Sequence, residues 1–252
     1  MVVATVCVFL PRIPQPQSYH SFADQRSLFG IPNFRDVVSN LPFAVIGVLG
    51  IAFLLRPGSD PASGHFLDSR ERWPYLVAFV GILLTAFGSS YYHLDPNNAR
   101  LVWDRLPIMV AFTATAAALI TERVQIRVGL LLLPVLVIVG VASVLQWYAS
   151  ELHGAGDLRF YAAVQVCSTL VLLIVLLFPE RYSRGSDLAV VVGLYALAKV
   201  LEGLDKPIFR AGQFVSGHTL KHLAAAAAGY WLLRMLRVRQ PVSDPAARVA
   251  TG

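Results

Sequence analysis

Two histidines, His218 and His222, stand four residues apart in the stretch GHTLKH. On a helix, positions i and i+4 share a face, so both imidazoles can reach one point. His93 closes the stretch GSSYYHL and offers a third nitrogen from another segment. Three imidazoles leave one position of a tetrahedral zinc ion open, which is the pattern of a catalytic rather than a structural ion. Ser89 precedes His93 by four residues, so its hydroxyl lies on the same helix face, one turn deeper. Asp104 follows His93 by eleven residues across the turn DPNNAR, and that turn can return the chain so that the carboxylate faces the same centre. A metal ion held in this way would have a hydroxyl and a carboxylate close at hand.

Each residue also has a simpler reading. A lone histidine at a helix end is commonly an interfacial residue, and H-x-x-x-H recurs on helices by chance. Asp104, beside Arg105, reads equally as a charge favoured at a helix start by the dipole. The Ser89 hydroxyl can bond back to a carbonyl of its own helix. What favours a joint role is number and depth. The chain has six histidines, and three of them fall at one level of apolar segments, where ionisable groups are costly. His20, His65 and His153 fall in loops and read as solvated. Lys199 and Glu202, at i and i+3, read as a structural pair, with Lys221 at the same depth.

The elements that must carry these residues are apolar helices. Of the 252 residues, 56% are hydrophobic and 14% charged, against about 25% charged in soluble domains. This excludes a disordered chain and a nucleic-acid module with a basic face. The two cysteines, Cys7 and Cys167, exclude a cysteine-rich metal site. A bilayer core needs about 20 apolar residues per helix. Seven stretches qualify as candidates: 37–55, 74–94, 103–121, 128–150, 160–179, 188–204 and 211–236. Short connections join them, so the expected fold is all-α, a seven-transmembrane-helix bundle in one membrane domain over 33–237. His93, Asp104, His218, Lys221, His222 and the group Lys199, Glu202 and Asp205 then all fall at one end of that bundle.

Segment 1–32 reads as an N-terminal hydrophobic stub, Val2 to Leu10, followed by an extracytoplasmic stretch, and 238–252 reads as a disordered tail. Eleven arginines fall on the side of the loops after the first, third and fifth spans, against eight Lys and Arg on the other. By the positive-inside rule the first side is cytoplasmic. The expectation is a multi-pass protein of a bacterial inner membrane, with the polar layer facing outward and the C-terminus inside. Its partners are membrane lipids, not nucleic acid.

The set S-x-x-x-H (Ser89, His93), Asp104 and H-x-x-x-H (His218, His222) resembles the CREST superfamily, which holds the alkaline ceramidases and the progestin/adipoQ receptors. NFRDVVSNLPF, from Asn33 to Phe43, is similar to the start of the first helix in alkaline ceramidases. YHSFADQRSLFGIPNF is similar to bacterial ceramidase-like members. The resemblance spans roughly Tyr19 to Leu236. It implies His93, His218 and His222 as zinc ligands, Asp104 as the group that holds and deprotonates water, and Ser89 as an oxyanion donor. The substrate it implies is a ceramide or related lipid amide. Eukaryotic members bind calcium through an acidic run before the first helix. Here that region offers only Asp24 and Asp36, with Asn33 where a carboxylate is expected, so no calcium site is predicted. Two other readings stand beside the hydrolase: a seven-helix receptor-like protein with a structural zinc, and a transporter, which the clustering of charge at one end disfavours.

Overall fold

The computed structural model describes residues 10–56 and 65–242. The apolar stub from Val2 to Phe9, Cys7 and the tail beyond Val242 lie outside the described residues. Among the described residues the chain is all-helical, with only two isolated β-bridges. The helices are α1 (Phe34–Val38), α2 (Leu41–Leu55), α3 (Arg72–Leu94), α4 (Asn98–Arg123), α5 (Ile126–Leu152), α6 (Arg159–Val175), α7 (Asp187–Gly203), α8 (Asp205–Gly212) and α9 (Gly217–Val238).

Four stretches are long and apolar enough to cross a membrane: Phe34–Leu55, Ser69–Leu94, Asn98–Arg123 and Ile126–Leu152. They carry apolar side chains outward, such as Phe87, Leu131 and Ile138. The protein is therefore a membrane protein, as the composition indicates. The other three expected spans form helices that meet the requirement less fully. At 1.5 Å per residue, the 17-residue helices α6 and α7 are about 25 Å long, short of a core of about 30 Å. Helix α9 has 22 residues but carries Lys221, Arg234 and Arg237.

Packing follows small residues and prolines. Pro107 lies inside α4 and has no N–H to give the carbonyl of Trp103. That carbonyl meets α3 at Gly88, where an added Cβ would stand 2.0 Å from its oxygen. A side chain at 88 would thus push α3 off α4, directly beside Ser89. Asn97 caps α4, its side chain accepting from the Arg100 amide at 3.0 Å. Asp104 and Arg105 therefore sit in the second turn of α4 rather than at its start, and both are buried.

Residues 10–33 form a strap across the end of the bundle that holds the histidines. The Leu158 amide donates to the Ile13 carbonyl at 2.8 Å, and the Ala23 amide donates to Asp205 Oδ2 at 2.9 Å. Arg26 reaches the carbonyls of Gln213 and Phe214, both at 3.0 Å. It also joins Asp24, whose carboxyl burial pushes up. Hydrogen bonds from the Arg26 side chain and backbone outweigh that burial and hold Asp24 below the usual carboxylate range. Two histidines depart from the solvated reading. His20 contacts the Tyr92 hydroxyl at 2.9 Å and Asn98 Oδ1 at 2.8 Å, and half-buried His65 stacks edge-on to Phe53.

At the opposite end, residues 239–242 of the expected tail pack against the bundle. Arg239 is 1% exposed, donates to Glu122, and lies 4.0 Å from the Tyr182 ring centroid. The Val242 amide donates to the Arg181 carbonyl at 2.9 Å, and the Ser183 amide to the Gln240 carbonyl at 2.8 Å. The chain is ordered through Val242 because a buried guanidinium must keep its counter-ion. The rest of the expected tail lies outside the described residues.

Candidate metal centre

The three histidines come together. Ring centroids of His93, His218 and His222 are 4.9, 5.0 and 4.9 Å apart, nearly an equilateral triangle. One ligand atom from each lies within 4.8 Å of the others. His218 Nε2 and His93 Nε2 are 3.3 Å apart. Two nitrogens bound at about 2.0–2.1 Å to one tetrahedral ion are separated by about 3.3–3.4 Å, so this spacing fits a zinc ion. All three side chains are buried. The group can hold a metal ion, and its donor set is compatible with zinc.

Local structure explains the convergence. Ser216 caps α9 by accepting from the Thr219 amide at 3.0 Å, which fixes the first turn that carries His218. The His218 amide donates to Asp205 Oδ1 at 2.9 Å, so one carboxylate ties the strap, α8 and α9 together. An added Cβ at Gly217 would meet the Leu201 carbonyl oxygen at 2.3 Å, so glycine sets the approach of α9 to α7. His93 ends α3, and its carbonyl accepts from Asn33 Nδ2 at 2.8 Å.

A second layer orients the imidazoles. Ser39 Oγ lies 2.8 Å from His222 Nδ1 and 3.0 Å from the Asp36 carbonyl, to which it donates. With Nδ1 so engaged, His222 presents Nε2 to the centre, a common second-sphere arrangement. Asp36 is fully buried and accepts from the Thr219 hydroxyl at 2.6 Å. Phe22 of the strap lies 4.6 Å from the His93 ring and 4.5 Å from the His218 ring, closing that side. The places of Ser39, Asp36 and Phe22 around the histidines escaped the sequence reading, which weighed Asp36 only for calcium. Polar residues directly ahead of an apolar run were a usable signal for the first two, and Phe22 carried none.

Ser89 and Asp104 line the neighbouring space. The Ser89 hydroxyl faces the Asp104 carboxylate, and both border a cavity of about 230 Å³ that His222 also lines. The cavity runs between α4, α6, α7 and α9, from Asp104 and Lys221 at its polar end to Thr115 and Leu232. Eleven residues along α4 or α9 make it about 16 Å long. Lys199, Glu202 and Lys221 form the expected ion cluster, with Glu202 accepting from Lys199 at 2.5 Å and from Lys221 at 2.7 Å. The Tyr19 hydroxyl adds a contact to Glu202 at 3.3 Å. This cluster is not remote from the site, because all four residues line the cavity.

The fold and this centre define a class: an all-helical membrane protein with a buried three-histidine group able to hold a metal ion. No protein-family model matches the sequence, and no curated protein matches it.

Proposed function

We propose that this protein is an intramembrane zinc hydrolase that cleaves the amide bond of ceramide or a related N-acyl lipid. In this reading it is a seven-helix bundle of the CREST type, in which α6, α7 and α9 also span. It resides in a bacterial inner membrane with the centre on the extracytoplasmic side and the C-terminus in the cytoplasm. One observation carries the proposal: the three-imidazole group reaches, through His222, the polar end of an elongated, largely apolar cavity that Ser89 and Asp104 also line. A soluble substrate has no use for such a cavity, whereas an acyl chain fills it.

His93, His218 and His222 would hold the ion, which when bound supplies Lewis acidity and makes water acidic enough to ionise near neutral pH. Asp104 accepts the proton of the attacking water as the C–O bond forms and then passes it to the leaving nitrogen, so the amide C–N bond breaks as the carbonyl re-forms. The Ser89 hydroxyl donates to the carbonyl oxygen as it gains charge. The products are a fatty acid and a free amine. The apolar walls below Ser89 keep the acyl chain in register and exclude bulk water.

One observation favours a rival. Phe22 covers two of the rings, which suits an enclosed structural zinc in a receptor-like protein. Fatty-acid release from a panel of ceramides and other N-acyl lipids in detergent, with zinc content measured, separates the two. We expect Asp104→Asn to keep the metal and lose about 10²–10⁴ in rate, the usual weight of a general base. Zinc-loaded wild type that releases no more fatty acid than Asp104→Asn would leave the receptor-like reading in front.

A further inference from the structure

The polar end of the cavity holds a cation that the described residues satisfy only in part. Arg105 is 6% exposed and lines the cavity beside Asp104. Its guanidinium stacks on Trp147 at 4.1 Å and on Tyr161 at 4.7 Å, which fixes its plane. Nη2 donates to Gln15 Oε1 at 2.6 Å. Nη1 is buried and has no hydrogen-bond partner among the described residues, and no carboxylate there forms a salt bridge with Arg105. A buried donor left unmade costs about 1–3 kcal/mol, and more when charged, and of the four arginines with such a nitrogen among the described residues Arg105 is the one that lines the cavity.

The surrounding charges point the same way. Glu202 is already engaged by Lys199 and Lys221, so that trio keeps one net positive charge. Asp104 is turned to Ser89. The cavity wall thus carries three cations, Arg105, Lys199 and Lys221, against two carboxylates, Glu202 and Asp104. A bound divalent ion makes the excess larger. Lys199 is half exposed and can be met by solvent, whereas buried Arg105 is given no counter-charge by a substrate head with hydroxyls only. A carboxylate supplies that charge and matches the planar fork of a guanidinium.

From this geometry we infer that the cavity selects N-acyl lipids whose amine part carries a carboxylate, N-acyl amino acids as a chemical class, with Arg105 receiving that carboxylate. This rests on the lipid-amide reading above and narrows it. Asp104 and Arg105 are neighbours in sequence and both line the cavity. Hydrolysis then consumes one water and returns a fatty acid and a free amino acid.

The test compares N-palmitoyl-glycine with N-palmitoyl-ethanolamine, which has the same chain and a neutral head. Affinities are measured by calorimetry in detergent on the full-length, zinc-loaded Asp104→Asn chain, so that no turnover is needed. We expect the glycine conjugate to bind at least about tenfold tighter, equivalent to about 1.4 kcal/mol. Adding Arg105→Gln should bring the two affinities within about twofold. The ratio of the two affinities cancels any general loosening of the fold. Equal affinities for the two lipids on the Arg105 chain overturn the assignment, even if wild type cleaves both. A charge preference that survives Arg105→Gln moves the contact to another cation and also overturns it. If Arg105→Gln does not fold, Arg105→Lys replaces it and should keep a preference that is reduced but present. A charge preference lost with Arg105, alongside wild type that releases no fatty acid, supports carboxylate recognition and defeats only the hydrolase.

Discussion

The two ends of the bundle both bury polar groups among apolar helices, but they solve the problem differently. At the C-terminal end, Glu122 accepts from the Tyr75 hydroxyl at 2.7 Å and pairs with Arg239. Glu71 pairs with Arg181 at 3.1 Å and accepts from the Tyr182 hydroxyl. Arg239 is also ringed by Phe66, Tyr75 and Tyr182. Each of these acids has its base, although Arg239 Nη2 and the Nε atoms of Arg72 and Arg123 keep no hydrogen-bond partner among the described residues. At the other end, three imidazoles face one another with no carboxylate in salt-bridge contact, and Arg105 keeps an unmet donor beside a cavity. Charge that is matched internally holds a fold together. Charge and donor capacity left over, next to empty space, is matched by something that arrives.

The largest effect that separates the ends is metal content. Wild-type protein should hold about one zinc per chain, and His93→Ala, His218→Ala and His222→Ala should each lose most of it, because two remaining imidazoles no longer fix a tetrahedral ion. Elemental analysis of purified variants reads this directly. Full occupancy in His218→Ala would remove that residue from the ligand set and break the contrast at its root. Arg239→Met, at the other end, should leave the metal untouched.

The next effect runs the opposite way. Glu122→Gln or Arg239→Met strands one partner of a buried pair, a change worth about 3–5 kcal/mol of stability. Thermal unfolding in detergent should show a large drop for both, and replacing the pair together with apolar residues should recover much of it. An unchanged melting temperature in both single variants would mean that the matched network is not what holds that end.

A smaller effect sharpens the metal end. Ser39→Ala removes the contact to His222 Nδ1 and should weaken metal binding about 10–100-fold, as second-sphere losses do. A competition titration with a chelator measures it. Unaltered affinity would show that the His222 ring is held by packing against Phe43 and the other two imidazoles.

How much of this was legible differs by end. The pairing of His218 with His222 is local, since four residues on one helix settle it. The nearness of Ser89 to Asp104 was legible as a short return after DPNNAR, although Gly88 and Pro107, which set how closely the helices meet, were not read. The Glu202 cluster followed from spacing as well, but its place on the cavity wall depends on how α7 and α9 pack. The matched network was invisible. Glu122 and Arg239 lie 117 residues apart, and each alone looks like a charge at a helix end. Seven apolar stretches were visible as hydropathy, and four of the resulting helices meet the requirement for crossing a membrane in full. The strap was unreadable because residues 10–33 have no periodicity, and its contacts are single hydrogen bonds to distant helices.

The smallest effect concerns that strap, which covers the end that holds the histidines. Asp24 anchors it by pairing with Arg26 at 2.7 Å and with Arg35 at 3.4 Å. Arg26 in turn holds the carbonyls before α9. The folded Asp24 carboxyl sits below the usual range, so its contribution to stability is present above the unfolded value of about 3.9 and is lost as pH falls through the folded value. Around neutral pH the contribution is whole, and acid should loosen the strap before it dissolves the helices. Asp24→Ala should reproduce the acid effect at pH 7: faster amide hydrogen exchange over 22–33, with exchange in α4 and α5 unchanged and the metal retained. If exchange over 22–33 stays slow in Asp24→Ala, the strap is held by the Asp205 contacts to Ala23 and His218 instead. Asp205→Ala would then be the variant that uncovers the histidines.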